Sequence, residues 1–290
     1  MPDDIEKNSE FVDFWNDVLV PKFIAYKHVL VDGLTRHSEA IFPNLTVGPG
    51  DKVLDVGCGF GDTANKFARI VGSEGHVVGL DCCDAFMEYG IREAKEEGLG
   101  NVEFINGDAL IYPFEPEYDF VFSRFGTMFF SNPVAAFKNM RRALKPGGKM
   151  THIVWRTQSD NPWLSMAKDV VLKFLPPPPG EDGLTCGPGP FSMANQEMVT
   201  AMMKSAGYED ITFERVDAPV LVGHSVEDAI NFQLNLGPAG EVFREAGDLA
   251  EQKRGEIEEA LAEAIKQQKS DADGIVMPSS SWVITGTNPA

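Results

Sequence analysis

The chain has 290 residues, 43% hydrophobic and 24% charged, which is enough to bury a substantial core and more than one typical domain needs. Its 44 acidic against 25 basic residues give a formal net charge of -19, excluding the clustered Lys and Arg that nucleic-acid phosphates demand and a polybasic hold on anionic lipid. No apolar run reaches the ~18 residues of a membrane span, and the acidic opening Met1-Pro2-Asp3-Asp4-Ile5-Glu6 is unlike a signal peptide, so a cytoplasmic protein is expected.

From Phe11 to about Leu45, apolar residues recur at helical spacing, with Phe11, Phe14, Trp15, Val18, Leu19, Phe23, Ile24 and Tyr26 among them. Two helices broken at Pro21 are expected ahead of a sheet. Val53-Leu54-Asp55-Val56-Gly57-Cys58-Gly59-Phe60-Gly61-Asp62 then reads as a buried parallel strand running into a loop whose glycines allow close backbone approach to a ligand. Helices follow over 62–71 and 84–98, the second stopped by Gly98 and Gly100. Between and after them lie His76 to Asp81 and Val102 to Ala109, short apolar runs ending in Asp81 and Asp108. Strand and helix in alternation predict a parallel sheet. Tyr118 to Ser123 is a fourth strand. Asn132 to Leu144 is a helix started by Ser131-Asn132-Pro133, and Lys149 to Trp155 is a fifth strand.

The glycine spacing is G-x-G-x-G, with Asp62 where a dinucleotide fingerprint has its third glycine. A carboxylate there repels a pyrophosphate, and Asp55 adds negative charge at the end of the strand, so the pocket suits a ligand carrying a cation. S-adenosylmethionine is such a ligand. Asp81 sits about twenty residues past the glycines, where α/β nucleotide folds place the carboxylate that takes the ribose hydroxyls. Asp108 is placed to accept a hydrogen bond from the adenine amine.

Val53 to Gly61, Gly79-Leu80-Asp81, Asn106-Gly107-Asp108-Ala109, Phe122-Ser123-Arg124-Phe125-Gly126 and Leu144-Lys145-Pro146-Gly147-Gly148 stand in one order along the chain. With these the chain resembles the class I S-adenosylmethionine-dependent methyltransferases, within the small-molecule group related to the quinone-biosynthesis C-methyltransferases. The resemblance implies an α/β fold: a seven-stranded, mostly parallel Rossmann-like sheet with helices on both faces. It implies that Gly57, Cys58, Gly59 and Gly61 pack on the methionine moiety beside Asp55, that Asp81 takes the ribose, and that Asp108 and Ala109 read the adenine. Cys82 and Met87 then lie against the adenine face, and Ser123 and Arg124 approach the methionine part or the substrate. Arg124 has three open readings: the cofactor carboxylate, an acidic substrate, or a nearby protein acid.

In the same family, N-terminal helices fold over the cofactor, which makes Trp15, Asn16 and Tyr26 candidates for the substrate wall. Phe125, Met128 and Trp155, at the rim with Phe129, Phe130 and Arg156, suggest an apolar or aromatic acceptor. The expected organisation is an N-terminal helical cap over 1–48 and a methyltransferase domain over 49–290. The latter divides into a cofactor-binding core, 49–156, and a C-terminal substrate or lid region, 157–290. That region is expected to hold a helix over 164–175, a Pro-rich loop over 176–190, a helix over 194–206 and a helical insertion at 226–270. Two strands, 211–216 and 281–286, close the sheet as an antiparallel pair.

Methyl transfer from a sulfonium is an in-line displacement that gains most from alignment and exclusion of water, so no catalytic residue is assigned. A general base matters only where the acceptor keeps a proton that must leave. Of the five histidines, His76 and His152 fall in strands and read as packed or solvated, while His28, His37 and His224 lie in the helical regions, His224 being the substrate candidate. Cys58, Cys82, Cys83 and Cys186 show no C-x-x-C pair, and adjacent Cys82 and Cys83 fit disulfide geometry poorly, so neither a metal nor a disulfide framework is expected. The partner expected is a small-molecule methyl acceptor, with the protein a monomer or homodimer. The alternative is a non-catalytic S-adenosylmethionine-binding regulatory or partner subunit.

Overall fold

In a computed structural model describing residues 12–177 and 189–290, the first strand, β1 (Lys52–Val56), forms over the apolar run ahead of the glycines, and Val53, Leu54 and Val56 are fully buried. A strand covered on both faces belongs in the middle of a parallel sheet. In chain order it is followed by β2 (His76–Asp81), β3 (Val102–Asn106), β4 (Tyr118–Arg124), β5 (Leu144–Trp155), β6 (Glu209–Asp217), β7 (Val220–Gly223), β8 (Lys269–Ser270), β9 (Ile275–Met277) and β10 (Ser280–Thr287). The main sheet has seven strands in the order β3-β2-β1-β4-β5-β10-β6. β1 to β5 are parallel neighbours, and β10 runs antiparallel to both β5 and β6. This is the Rossmann-like sheet that the resemblance implied. The chain moves outward from β1 to β3 and returns as β4 on the other side of β1, so the switch point lies between β1 and β4, where open α/β sheets bind ligands.

The helices are α1 (Val20–Ala25), α2 (Lys27–Ile41), α3 (Asp62–Val71), α4 (Asp84–Glu97), α5 (Pro133–Ala143), α6 (Pro162–Val171), α7 (Gln196–Ser205), α8 (Val226–Asn235), α9 (Gly237–Glu245) and α10 (Asp248–Lys266). α3 buries Ala64, Phe67, Ala68 and Val71 on one face, where Phe67 meets Phe42 and Phe122 at ring centroids 5.0 Å away. α5 begins as its sequence suggests: the Asn132 side chain accepts from the Ala135 N–H, and Pro133 fills the first turn.

Several boundaries differ from expectation. The N-terminal break falls at Tyr26, not Pro21: a π-helical turn over Trp15–Leu19 runs into α1, and Pro21 stands in the first turn of α1 without ending the helix. β5 starts at Leu144, which pairs with Tyr118. The Asn288 backbone clamps the following turn, its carbonyl accepting from Gly147 N–H and its N–H donating to Gly148 C=O, both at 2.8 Å. The insertion expected at 226–270 forms three consecutive helices, α8 to α10. Unexpected is a second, three-stranded sheet in the order β7-β9-β8; its strands are too short to carry a periodic signal. This sheet meets the N-terminal region directly. A Cβ on Gly33 of α2 would lie 2.9 Å from the Leu221 carbonyl oxygen, and Arg36 donates to both Asp271 and Asp273 at 2.7 Å. Of the Pro-rich loop, residues 178–188 lie outside the described residues, as do Phe11 and Cys186.

Gly61 shows how the sheet and helices are drawn together. A Cβ there would stand 2.8 Å from the Gly90 Cα of α4 and 2.7 Å from the Phe104 ring, at a φ of +79°. Gly61→Ala should therefore destabilise the fold by about 2 to 4 kcal/mol, through left-handed backbone strain and overpacking. Denaturant unfolding would measure this as a lower midpoint at unchanged slope.

Candidate functional site

At the C-terminal ends of β1, β2, β4 and β5 the structure encloses a cavity of about 480 Å³. Its floor is the β1 loop, Gly57 to Phe60, with Leu80 to Cys83 at the end of β2 and Gly107 to Ala109 after β3. Its walls come from far along the chain: Trp15, Phe23 and Leu34 of the N-terminal helices, Phe129 and Trp163, and Phe232 and Leu236 of the inserted helices. Gly189 and Pro190 also line it, held by Gly189 N–H and the Ser192 hydroxyl donating to Met128 C=O at 3.0 and 2.6 Å.

The three loop glycines have separate tasks. Gly57, at φ +65°, lets the loop pass Gly126, whose Cα would be 3.4 Å from a Cβ there. Gly59, at φ +52°, would direct a Cβ into open space, so its backbone is the bare surface of the cavity floor. Gly61 packs against Gly90 and Phe104 and lies outside the cavity lining.

Asp81 is tied to this floor. Its carboxylate accepts from the Gly59 N–H at 2.8 Å and from the Cys83 N–H at 3.0 Å, and it lines the cavity while only 8% exposed. Burial raises its pKa, and the two backbone donors oppose that rise. Asp108 also lines the cavity and caps its own turn by accepting from the Leu110 N–H at 2.9 Å. Asp62 does not present the bare charge expected of it, because the Arg124 guanidinium donates to it at 2.7 Å. Arg124 lines the cavity too, and also donates to the hydroxyls of Thr35 and Ser38 at 3.2 and 3.3 Å, locking α2 to the end of β4. Of its three readings, the structure realises the protein acid.

Asp55 lies beneath the loop rather than in the cavity. It is fully buried, accepts a short hydrogen bond of 2.5 Å from the Thr63 hydroxyl and leaves Oδ1 without a partner. Burial is the main cause that pushes its pKa up to about 7, with Thr63 and Arg124 opposing. A carboxyl raised on folding favours the native state in its protonated form. That stabilisation is complete below about pH 4, the unfolded value, and is lost as pH rises through about 7. Melting temperatures between pH 4 and 8 should fall more steeply for the native chain than for Asp55→Asn, and matching slopes would contradict the shift.

Of the other expected residues, Gly57, Cys58, Gly59, Cys82, Ala109, Trp15, Phe125, Met128 and Trp155 line the cavity. Met87 and Ser123 are buried outside its lining, and the Ser123 hydroxyl has no partner. Asn16 braces the entrance by donating to Cys82 C=O at 3.2 Å. Tyr26 and His224 do not reach the cavity. The Tyr26 hydroxyl accepts from Asn235 at 2.9 Å, while exposed His224 contacts the Asp273 carbonyl and stacks on His28. His37 is a buried structural residue between the Ser281 and Ser279 hydroxyls, and burial lowers its pKa to about 4. Among the described residues no histidine lines the cavity.

One feature of the floor left no trace in the residue pattern. Phe125 has a φ of +55°, costly for an aromatic residue. It is held there by donating its N–H to Ile153 C=O at 2.9 Å and by stacking on Trp155 with centroids 3.9 Å apart. The kink turns the chain after β4 so that Gly126 meets Gly57.

A methyltransferase domain model matches residues 53–148, the segment that carries β1 to the start of β5. A ubiquinone/menaquinone biosynthesis C-methyltransferase from Ectopseudomonas mendocina is 32% identical over 213 residues, 70% of this chain and 83% of that protein. A demethylmenaquinone methyltransferase from Staphylococcus carnosus is 28% identical over 192 residues, 63% of this chain and 78% of its own length. Among solved structures, a phosphoethanolamine N-methyltransferase 2 from Haemonchus contortus, in complex with phosphomonomethylethanolamine and S-adenosylhomocysteine, superposes with a TM-score of 0.57. It is 19% identical, covering 97% of this chain and 61% of the other, and so speaks to the fold alone.

Proposed function

Because this chain belongs to the class I S-adenosylmethionine-dependent methyltransferases related to the quinone-biosynthesis C-methyltransferases, we propose that its cavity takes the donor on the Gly57–Gly59 floor and an apolar, aromatic acceptor against the walls above. The chain is a small-molecule methyltransferase. In this reading Asp81 receives the ribose hydroxyls, Asp108 and Ala109 border the adenine, and the loop backbone lies along the methionine part. The observation that carries it is the pairing of Gly59, with open space where a side chain would stand, and Asp81, held by the Gly59 N–H and facing the same cavity. This arrangement fits a ligand with a flat face and vicinal hydroxyls. The acidic floor, Asp81 and Asp108, suits a cationic ligand. A charge of -19 further favours a small acceptor over nucleic acid.

When bound, S-adenosylmethionine supplies an electrophilic methyl group on a sulfonium. The protein's share is alignment and dryness. Trp15 meets Phe129 edge-on at 5.1 Å and Phe23 at 5.4 Å, a wall that can hold a ring and exclude water. With no histidine lining the cavity among the described residues, the site suits an acceptor that arrives ionised or already electron-rich at carbon. We take the N-terminal helices and α8 to α9 as one lid, since both supply the walls. Incubation with methyl-labelled S-adenosylmethionine and a panel of quinols, phenols and aliphatic acceptors should label a quinol or phenol ring carbon. Label confined to polar aliphatic acceptors would reject the aromatic reading. Donor binding without transfer to any cell-extract component would favour a binding subunit.

A further inference from the structure

The cavity floor carries a close pair of thiols that donor binding does not call for. Asp81, Cys82 and Cys83 each present a ligand atom within 4.8 Å of the others, and among the described residues this is the one such cluster of His, Cys, Asp and Glu. The two sulfurs are 3.7 Å apart. Two thiolates on one tetrahedral cation, with metal–sulfur bonds of about 2.3 Å, stand about 3.8 Å apart, so the pair already has the spacing of a chelate edge. Both cysteines and Asp81 line the cavity; Cys83 is 1% exposed and Cys82 partly open. Cys58 shares the cavity but stands outside the cluster.

We propose that Asp81, Cys82 and Cys83 form a binding site for a soft divalent cation of the zinc and cadmium class, and that occupation of this site and of the donor site exclude each other. Two sulfurs and one oxygen select a soft or borderline cation over magnesium or calcium. The fourth position faces the cavity and takes water. Binding joins the cation to both sulfurs and one carboxylate oxygen, and the two thiol protons leave to solvent, with no change of oxidation state. The Asp81 carboxylate and the two thiolates are anionic ligands standing close together, so a dication between them relieves their mutual repulsion. The mutual exclusion rests on the donor reading above, because a carboxylate engaged by the cation is withdrawn from the ribose. Metal exposure would then switch the enzyme off by closing its floor.

The test uses the full chain, reduced and stripped of metal, titrated with cadmium and followed by thiolate-to-cadmium ultraviolet absorption and by calorimetry. One cadmium per chain is expected, with affinity falling at least ~100-fold in Cys82→Ser and in Cys83→Ser and unchanged in Cys58→Ser and Cys186→Ser. Saturating S-adenosylhomocysteine should weaken cadmium binding, and cadmium should weaken S-adenosylhomocysteine binding by the same factor. Retained affinity in both the Cys82 and Cys83 variants, with melting temperatures confirming folded protein, would overturn the site. Cadmium bound through both thiols with no mutual effect, on a chain that does bind S-adenosylhomocysteine, would overturn the exclusion. If S-adenosylhomocysteine does not bind even to metal-free protein, the donor reading fails while the thiol-dependent signal still supports the cation site.

Discussion

Replacing Gly59 by valine should abolish S-adenosylhomocysteine binding in calorimetry while leaving a folded protein. The new side chain meets no protein atom within 4 Å of its Cβ, so it is not expelled by packing but stands in the cavity where the ligand would rest. The backbone adds its own cost, since φ is +52° and a β-branched residue resists the left-handed region. That penalty is about 1 to 3 kcal/mol of fold stability, small enough for a domain of this size to survive. Gly61→Ala is the informative contrast. Two residues along the same loop, it should lower stability strongly without filling the cavity. If Gly59→Val binds like the native chain, the loop is not the donor floor.

Asp81→Ala should weaken S-adenosylhomocysteine binding by roughly 1 to 3 kcal/mol, about 5- to 150-fold, through loss of a charge-assisted hydrogen bond to the ribose. The variant also strips the acceptor from the Gly59 and Cys83 N–H groups, which are 2.8 and 3.0 Å from the carboxylate. Part of the loss therefore reflects a loosened floor. Asp81→Asn separates the two causes, because its amide oxygen can still accept from one of these N–H groups. An affinity between those of the native chain and the alanine variant is expected, with a melting temperature near native. A 2′-deoxy donor analogue should lose its discrimination in Asp81→Ala, and if it is bound no worse than the parent by the native chain, Asp81 does not hold the ribose.

Much of this was readable along the chain because the signals are local. A buried strand needs an apolar run, its sharp exit needs glycine, and an acid one residue past the apolar stretch must sit at the strand tip. Val53 to Gly61 and Asp81 therefore announced both the sheet and the edge of the cavity, Asp108 falls in the turn two residues past the end of β3, and Asn132-Pro133 announced the start of α5. These inferences need no knowledge of what packs above them.

The tertiary structure decided which charges and side chains meet. Asp62 looked like a bare carboxylate until Arg124, 62 residues on, was found paired with it at 2.7 Å. Gly61 looked like its neighbours until α4 and Phe104 were brought against it. Tyr26 and His224 have the right chemistry for an acceptor wall but are turned to Asn235 and Asp273 instead, while Phe232 and Leu236, with no mark in the sequence, complete the cavity. Spacing along a backbone fixes what one segment presents, whereas docking of distant segments depends on shape and burial summed over the whole fold, and no local pattern encodes that sum.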